Sequence, residues 1–258
     1  MRWMRFEVEG QVGFGAVEGD EVHEHAGELF GSHQPTGRRW PLAAVRFLPP
    51  CEPRMLLGLW NNFRAAAERN GWAPPVEPLV FGKSVHSLIG HEGAIPVPPP
   101  ETGRVAYEGE LALVIGRDTF RVGVDDAPAH IFGYTCANDL TALELLPQDP
   151  SFMQWTRAKS GEGFCPLGPW IDTAFDPHGA SLHTLVGGRE RQHFPLADMF
   201  FPPAAIVSRL SQTMVLKAGD VILCGTSVGV LPMKPGTRVE VQIDGLGTLA
   251  NVFGAAPG

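Results

Sequence analysis

Glu108 and Glu110 flank a single glycine at the head of an apolar run, Leu111-Ala-Leu-Val-Ile115. In an extended chain, residues two apart project to the same side, so both carboxylates would stand together. The run is too apolar for a strand lying in water. Ala112 and Val114 continue the face of the glutamates, and Leu111, Leu113 and Ile115 fill the other. Two carboxylates side by side in a low-dielectric setting repel, so either one is protonated or a cation lies between them. A second apolar run, Ile131-Phe-Gly-Tyr-Thr135, leads to Asn138-Asp139 and offers a third oxygen donor. Charges inside apolar elements are paired or ligating. An all-oxygen donor set suits Mg2+, Mn2+ or Ca2+ rather than Zn2+. The plain alternative, two solvated glutamates with Asp139 capping a turn, fits a bare E-x-E but not one with apolar residues on both faces.

Other residues carry weaker signals. Lys159 lies between Trp155 and Phe164. A partly desolvated lysine beside a metal can hold a substrate carboxylate or act as a base with a lowered pKa, whereas a surface lysine does neither. Lys83 ends the apolar segment Leu79-Val-Phe-Gly-Lys83. Gly225-Thr-Ser-Val-Gly229 matches the G-x-S-x-G elbow of serine hydrolases, but that elbow needs a following helix, which Pro232 and Pro235 deny. The segment reads instead as a glycine-rich turn whose backbone N–H groups, at Gly225 and Thr226, hold an oxyanion or carboxylate. The histidines show no H-E-x-x-H or zinc-like spacing, and His86 and His91 in a glycine-containing loop read as solvated.

The elements that must position these groups are mostly short strands. With 258 residues and 44% hydrophobic composition, the chain can bury a sizeable core. A net charge of −8 argues against nucleic acid or an anionic membrane as partner. No apolar run approaches a membrane span, and the N-terminus turns acidic too soon for a signal peptide. Cys51, Cys136, Cys165 and Cys224 lack paired spacing and read as reduced thiols of a cytoplasmic protein. Residues 4–30 alternate like a three-stranded sheet with turns at Glu9-Gly10 and Glu18-Gly-Asp20, and residues 31–54 read as loop. A boundary near Pro50 gives a small N-terminal β domain, 1–50, and a larger domain, 51–258. After the strand Met55–Leu59, a short helix is expected with Asn61 or Asn62 as cap, Phe63, Ala66 and Ala67 on one face, and Gly71 as stop. Residues 84–106 read as loop, and Gly163–Trp170 as a rigid loop entering a strand at Trp170–Thr173. Residues 182–200 suggest a hairpin turning at Gly187-Gly188, and 204–211 an amphipathic helix. Val239–Ile243 and Leu249–Phe253 should pair and close the sheet. The sum is an α+β chain, predominantly β, with a rolled or closed mixed sheet.

Five segments, Glu108-Gly-Glu110-Leu-Ala-Leu-Val-Ile-Gly116, Gly133-Tyr-Thr-Cys-Ala-Asn-Asp139, Ala158-Lys-Ser160, Pro166-Leu-Gly-Pro-Trp170 and Gly219-Asp-Val-Ile-Leu-Cys-Gly-Thr226, resemble in that order the fumarylacetoacetate hydrolase family. The resemblance covers about residues 55–253. It implies a mixed β-roll catalytic core behind a small N-terminal domain, a homodimer, and Mg2+ (or Mn2+) held by Glu108, Glu110 and Asp139. It further implies that Lys159 and Thr226 contact a small carboxylate substrate and that Lys83 lies near the site mouth. Trp60-Asn-Asn-Phe63 resembles members acting as 2-hydroxyhepta-2,4-diene-1,7-dioate isomerases or the linked decarboxylases. The chain also departs from the pattern. Hydrolytic members carry a His with a Glu three residues on, which activate water, and the matching positions are read as Arg64 and Ala67, with Glu68 close by. Leu143 and Ser227 stand where the family usually has Arg and Pro.

The reading that follows is a metal-dependent isomerase or decarboxylase of a small 2-oxo or 2-hydroxy-dienoic (di)carboxylic acid of aromatic catabolism, working through a metal-stabilised enolate. Lys159 and the Gly225–Thr226 turn would hold carboxylates, with Arg64 on the far one. A second reading is hydrolytic C–C cleavage of an acylpyruvate-like diketo acid, with Glu68 activating water. A third is a carboxylate-binding member without catalysis.

Overall fold

The structure, a computed structural model, describes residues 1–254, so the last positions of the expected 51–258 domain lie outside it. Four N-terminal strands, β1 (Arg2–Val8), β2 (Gln11–Glu18), β3 (Glu21–Gly27) and β4 (His33–Pro41), form an antiparallel meander. Part of the segment read as loop after residue 30, His33–Pro41, is thus strand. Its prolines are tolerated because β4 lies at the sheet edge, where a missing N–H breaks no ladder. Glu24 anchors that edge by accepting from Trp40 Nε1 at 2.9 Å and pairing with Arg38. The meander is continuous with the rest of the fold, because Trp3 of β1 pairs with Ile171.

The remaining long strands are β5 (Leu56–Trp60), β6 (Leu79–Lys83), β7 (Gly109–Ile115), β8 (Ile131–Asn138), β9 (Cys165–Asp172), β10 (Ser181–Val186), β11 (Arg189–Pro195), β12 (Val221–Leu223), β13 (Thr237–Ile243) and β14 (Gly247–Phe253). The helices are α1 (Arg64–Asn70), α2 (Trp155–Lys159) and α3 (Pro203–Ser211). The large sheet runs β4-β3-β2-β1-β9-β8-β7-β12-β5-β6, antiparallel except where β12 lies parallel to β5. A second sheet runs β11-β10-β13-β14 and ends on Ala94–Ile95. The pair expected to close the sheet, β13 and β14, therefore builds this second layer instead. Gly163–Trp170 is mostly strand as well: Pro166 and Pro169 fall in β9, whose register against β8 shifts between Tyr134 and Cys136 and so leaves room for residues without an N–H. Residues 84–106 carry three two-residue strands, Leu88–Ile89, Ala94–Ile95 and Val105–Ala106.

The alternation in β7 positions the core. Leu111, Leu113 and Ile115 face the second sheet and α3, packing with Leu182, Val241, Ile206 and Leu210. Ala112 and Val114 face the other way, with Leu56, Leu167 and Val221. Each buried Leu or Ile here contributes about 1.5–3 kcal/mol, which fixes the strand that presents Glu110. Helix α1 ends at Gly71 as expected, but neither asparagine caps it; its N-cap is Phe63, without a side-chain bond. Asn62 is committed elsewhere. Its Nδ2 donates to Cys224 O at 2.8 Å and Phe201 O at 3.1 Å, and its Oδ1 accepts from Phe201 N at 2.9 Å. Asn62→Ala would leave buried backbone groups unpaired and is expected to destabilise the fold by about 2–3 kcal/mol in urea unfolding; a loss under ~0.5 kcal/mol would contradict this role.

Candidate metal and active site

Glu108, Glu110 and Asp139 each present a carboxylate oxygen within 4.8 Å of the others. Glu108 stands just before β7, Glu110 is its second residue, and Asp139 follows β8. Asp139 N donates to Glu108 O at 2.8 Å and Glu108 N to Asn138 Oδ1 at 2.9 Å, so the two strand ends are clamped together. Gly109 N donates to Gln192 Oε1 at 2.9 Å, and any Cβ at Gly109 would lie 2.1 Å from Thr184 Oγ1. Only glycine permits that approach, which explains the residue between the two glutamates.

Glu110 and Asp139 are buried, and so are Lys83 and Lys159. Lys159 Nζ donates to Asp139 Oδ2 at 2.7 Å and Glu108 Oε2 at 2.9 Å. Lys83 Nζ pairs with Asp139 and donates to Phe164 O at 3.2 Å. Thr141 Oγ1 donates to Glu108. Burial raises the Glu108 carboxyl, with Lys159 opposing it. Burial, and then the negative charges of Asp139 and Glu108, push Glu110 well above the usual carboxylate range. At Asp139 burial works in the same direction, but Lys159 and Lys83 overcome it and hold that carboxyl low.

The donor set fits a hard divalent ion. All three oxygens converge, and Glu110 Oε1 is buried without a hydrogen-bond partner, a costly condition that a bound cation relieves. The other convergent set among the described residues, His183, Glu190 and His193, lies across the β10–β11 hairpin and lines no part of the cavity described next. The sequence spacing had concealed it, because His183 and His193 meet as a cross-strand pair.

Beside the acidic cluster opens a cavity of about 290 Å³, lined by Glu108, Thr141, Lys159 and Thr226 on the polar side and by Trp60, Trp72 and Trp155 on the aromatic side. Lys159 is where the sequence reading put it, but its pKa is not lowered. Burial acts downward, and Asp139, Glu108 and Glu110 outweigh it and raise the ammonium above its ordinary value. Lys83 is not at the mouth; it is buried behind Asp139 and lines no part of the cavity. Gly225, with φ of 91°, gives its N–H to Glu110 Oε2 at 2.6 Å, so the turn's carboxylate is the protein's own. Thr226 lines the cavity, with Oγ1 donating to Gly109 O at 2.8 Å.

Arg64 and Glu68 do not reach this site. Four apart on α1, they share its exposed face. Arg64 donates to Asp198 O at 3.1 Å and lies over the Phe200 ring. The face of α1 that lines the cavity carries Ala66, Arg69 and Asn70. Sequence reasoning also missed Gln192. This buried side chain receives Gly109 N and Thr184 Oγ1 and donates to Thr226 Oγ1 at 2.9 Å, tying both hairpins at the site. Its signal was available: Gln192 and Phe194 are two apart and share the inward face of β11.

Two sequence-family models match the chain. The one described as "Fumarylacetoacetate (FAA) hydrolase C-terminal" matches residues 56–253, and the one described as "Rv2993c-like, N-terminal" matches residues 1–50. Among curated proteins, the oxaloacetate tautomerase YisK of Bacillus subtilis is 36% identical over 257 residues, covering 92% of this chain and 84% of that protein. A solved 5-carboxymethyl-2-hydroxymuconate delta-isomerase from Mycobacterium smegmatis superposes with a TM-score of 0.90 at 37% identity, covering 98% of this chain and 99% of that one. A maleylpyruvate hydrolase from Sphingobium sp. SYK-6, solved with a manganese(II) ion and pyruvate, superposes with a TM-score of 0.79 at 26% identity, covering 99% of this chain and 100% of that one.

Proposed function

Because the chain belongs to the fumarylacetoacetate hydrolase family of enzymes, we propose that it is a divalent-metal-dependent isomerase or decarboxylase of a small 2-oxo or 2-hydroxy-dienoic acid. The observation that carries this is the convergence of three carboxylate oxygens, one of them buried and unpartnered, beside a cavity that also presents Lys159. Glu108, Glu110 and Asp139 would hold Mg2+ or Mn2+. When bound, the ion supplies Lewis acidity toward negative charge developing on a 2-oxo group. Lys159, between two carboxylates, is kept as an ammonium that anchors a substrate carboxylate and can return a proton to carbon. Thr141 and Gln192 hold Glu108 and Thr226 in place. The indoles of Trp60 and Trp155 exclude water from that wall.

Hydrolysis fares worse on this geometry. Among the residues lining the cavity there is no histidine, and the one carboxylate, Glu108, belongs to the metal set. The roles first considered for Arg64 and Glu68 find no support in their outward positions. We take the active state to be a homodimer, as the resemblance implies, in the cytoplasm, the compartment suited to four free, buried cysteines.

The Mg2+-loaded protein is therefore expected to exchange the C3 hydrogens of oxaloacetate or a 2-hydroxydienoate with D2O, or to release CO2, as followed by NMR. Cleavage of an acylpyruvate, with loss of diketo absorbance and release of a second acid, in place of either event would overturn this assignment in favour of hydrolysis.

A further inference from the structure

Arg69 of α1 lines the cavity, is exposed, and makes no side-chain hydrogen bond or ion pair among the described residues. It stands at one end of a continuous aromatic wall. Lys159 Nζ is 5.1 Å from the Phe81 ring centre, Phe81 stacks on Trp155 at 5.2 Å, Trp155 lies 6.0 Å from Trp60, and Trp60 lies 4.9 Å from Trp72, three residues after Arg69. The cavity thus has two cationic side chains, Lys159 at the acidic cluster and Arg69 near Trp72, with the indoles of Trp155, Trp60 and Trp72 along it, tilted by 56° and 49° from one to the next. A guanidinium with free donors favours a planar carboxylate.

We infer that Arg69 and the Trp60–Trp72 corner form a second anion subsite, which selects substrates carrying a far carboxylate. This rests on the metal-site reading for the near end only. The two lysines buried at the acidic cluster do not serve the far end: Lys83 is sealed behind Asp139, and Lys159, paired with Glu108 and Asp139, stands at the near end. Arg64, the other arginine of α1, is tied to Asp198 O outside the cavity.

The test uses calorimetry on the Mg2+-saturated protein with 2-oxoadipate and with 2-oxohexanoate, which has the same chain without the far carboxylate. The wild type is expected to favour the diacid by about tenfold or more. Arg69→Gln should lose that preference by weakening the diacid alone, and Arg69→Lys should keep part of it. Oxalate, which needs only the near end, should bind wild type and both variants alike. An unchanged preference in Arg69→Gln, equal weakening of both acids, or a wild type with no preference would each overturn the subsite. A wild type that binds no oxalate yet prefers the diacid through Arg69 sinks the ion and keeps the subsite; one that binds neither acid sinks both.

Discussion

Titration of Glu110→Gln with Mg2+ should show affinity weakened by roughly 100-fold or more against a saturable isotherm for the wild type. The amide keeps the size of the carboxylate and can still accept from Gly225 N–H, so the turn it holds stays in place. What it loses is the negative charge, and with it the oxygen that lies buried without a partner. Folding should not suffer. Burial is the first cause that pushes the Glu110 carboxyl upward, so a neutral side chain there removes a desolvation cost, and the metal-free variant should melt no lower than the metal-free wild type. The same shift gives a pH dependence. A carboxyl whose pKa is raised holds its proton to higher pH, and the ion must displace that proton, so wild-type affinity should climb as the pH rises through that range. Undiminished Mg2+ binding by Glu110→Gln would remove Glu110 from the ligand set.

Lys83→Met should cost about 3 kcal/mol or more of unfolding free energy in metal-free urea titrations. The Lys83 side chain is fully buried, and its removal leaves Asp139 with Lys159 as its one remaining cation and Phe164 O without that donor. Methionine fills most of the vacated volume, so the effect reports lost charge pairing more than a cavity. A divalent ion beside Asp139 substitutes for the missing charge. Mg2+ at ~100 times its dissociation constant should therefore return about 2.7 kcal/mol, whereas in Glu110→Gln it should return little. A loss below ~1 kcal/mol would mean that Lys83 does not hold Asp139 in the acidic cluster, and no response to Mg2+ would mean that the cluster binds no ion.

Much of the site was legible because its signals are local. The E-G-E segment before a two-faced apolar strand specifies the side-by-side carboxylates, and the clamp between Glu108 and Asp139 follows from the hairpin that β7 and β8 form. Lys159 was legible through its aromatic flanks. What escaped were roles decided by distant partners. Gly225 and Glu110 are brought together by packing, so the sequence could suggest a carboxylate for that turn but not whose. Lys83 reads as a strand end, and only the packing of β6 against α2 shows that it turns inward. On α1 the difference between Arg64 and Arg69 is a matter of helix phase. The phase is set by Ala66 and Phe63 packing against the second sheet, a contact that the helix's own residues do not announce. Strand β4 and the proline-containing start of β9 were missed for a related reason: proline argues against a strand in general, but not at an edge or a register shift.

The central claim is that Glu108, Glu110 and Asp139 share one divalent ion at the floor of the cavity. Crystals grown with Mn2+ and recorded at a wavelength where manganese scatters anomalously test it most directly. The account predicts a single strong anomalous peak among those three carboxylates, with Lys159 beside it. A peak at His183, Glu190 and His193 instead, or none between Glu108 and Asp139, would contradict it.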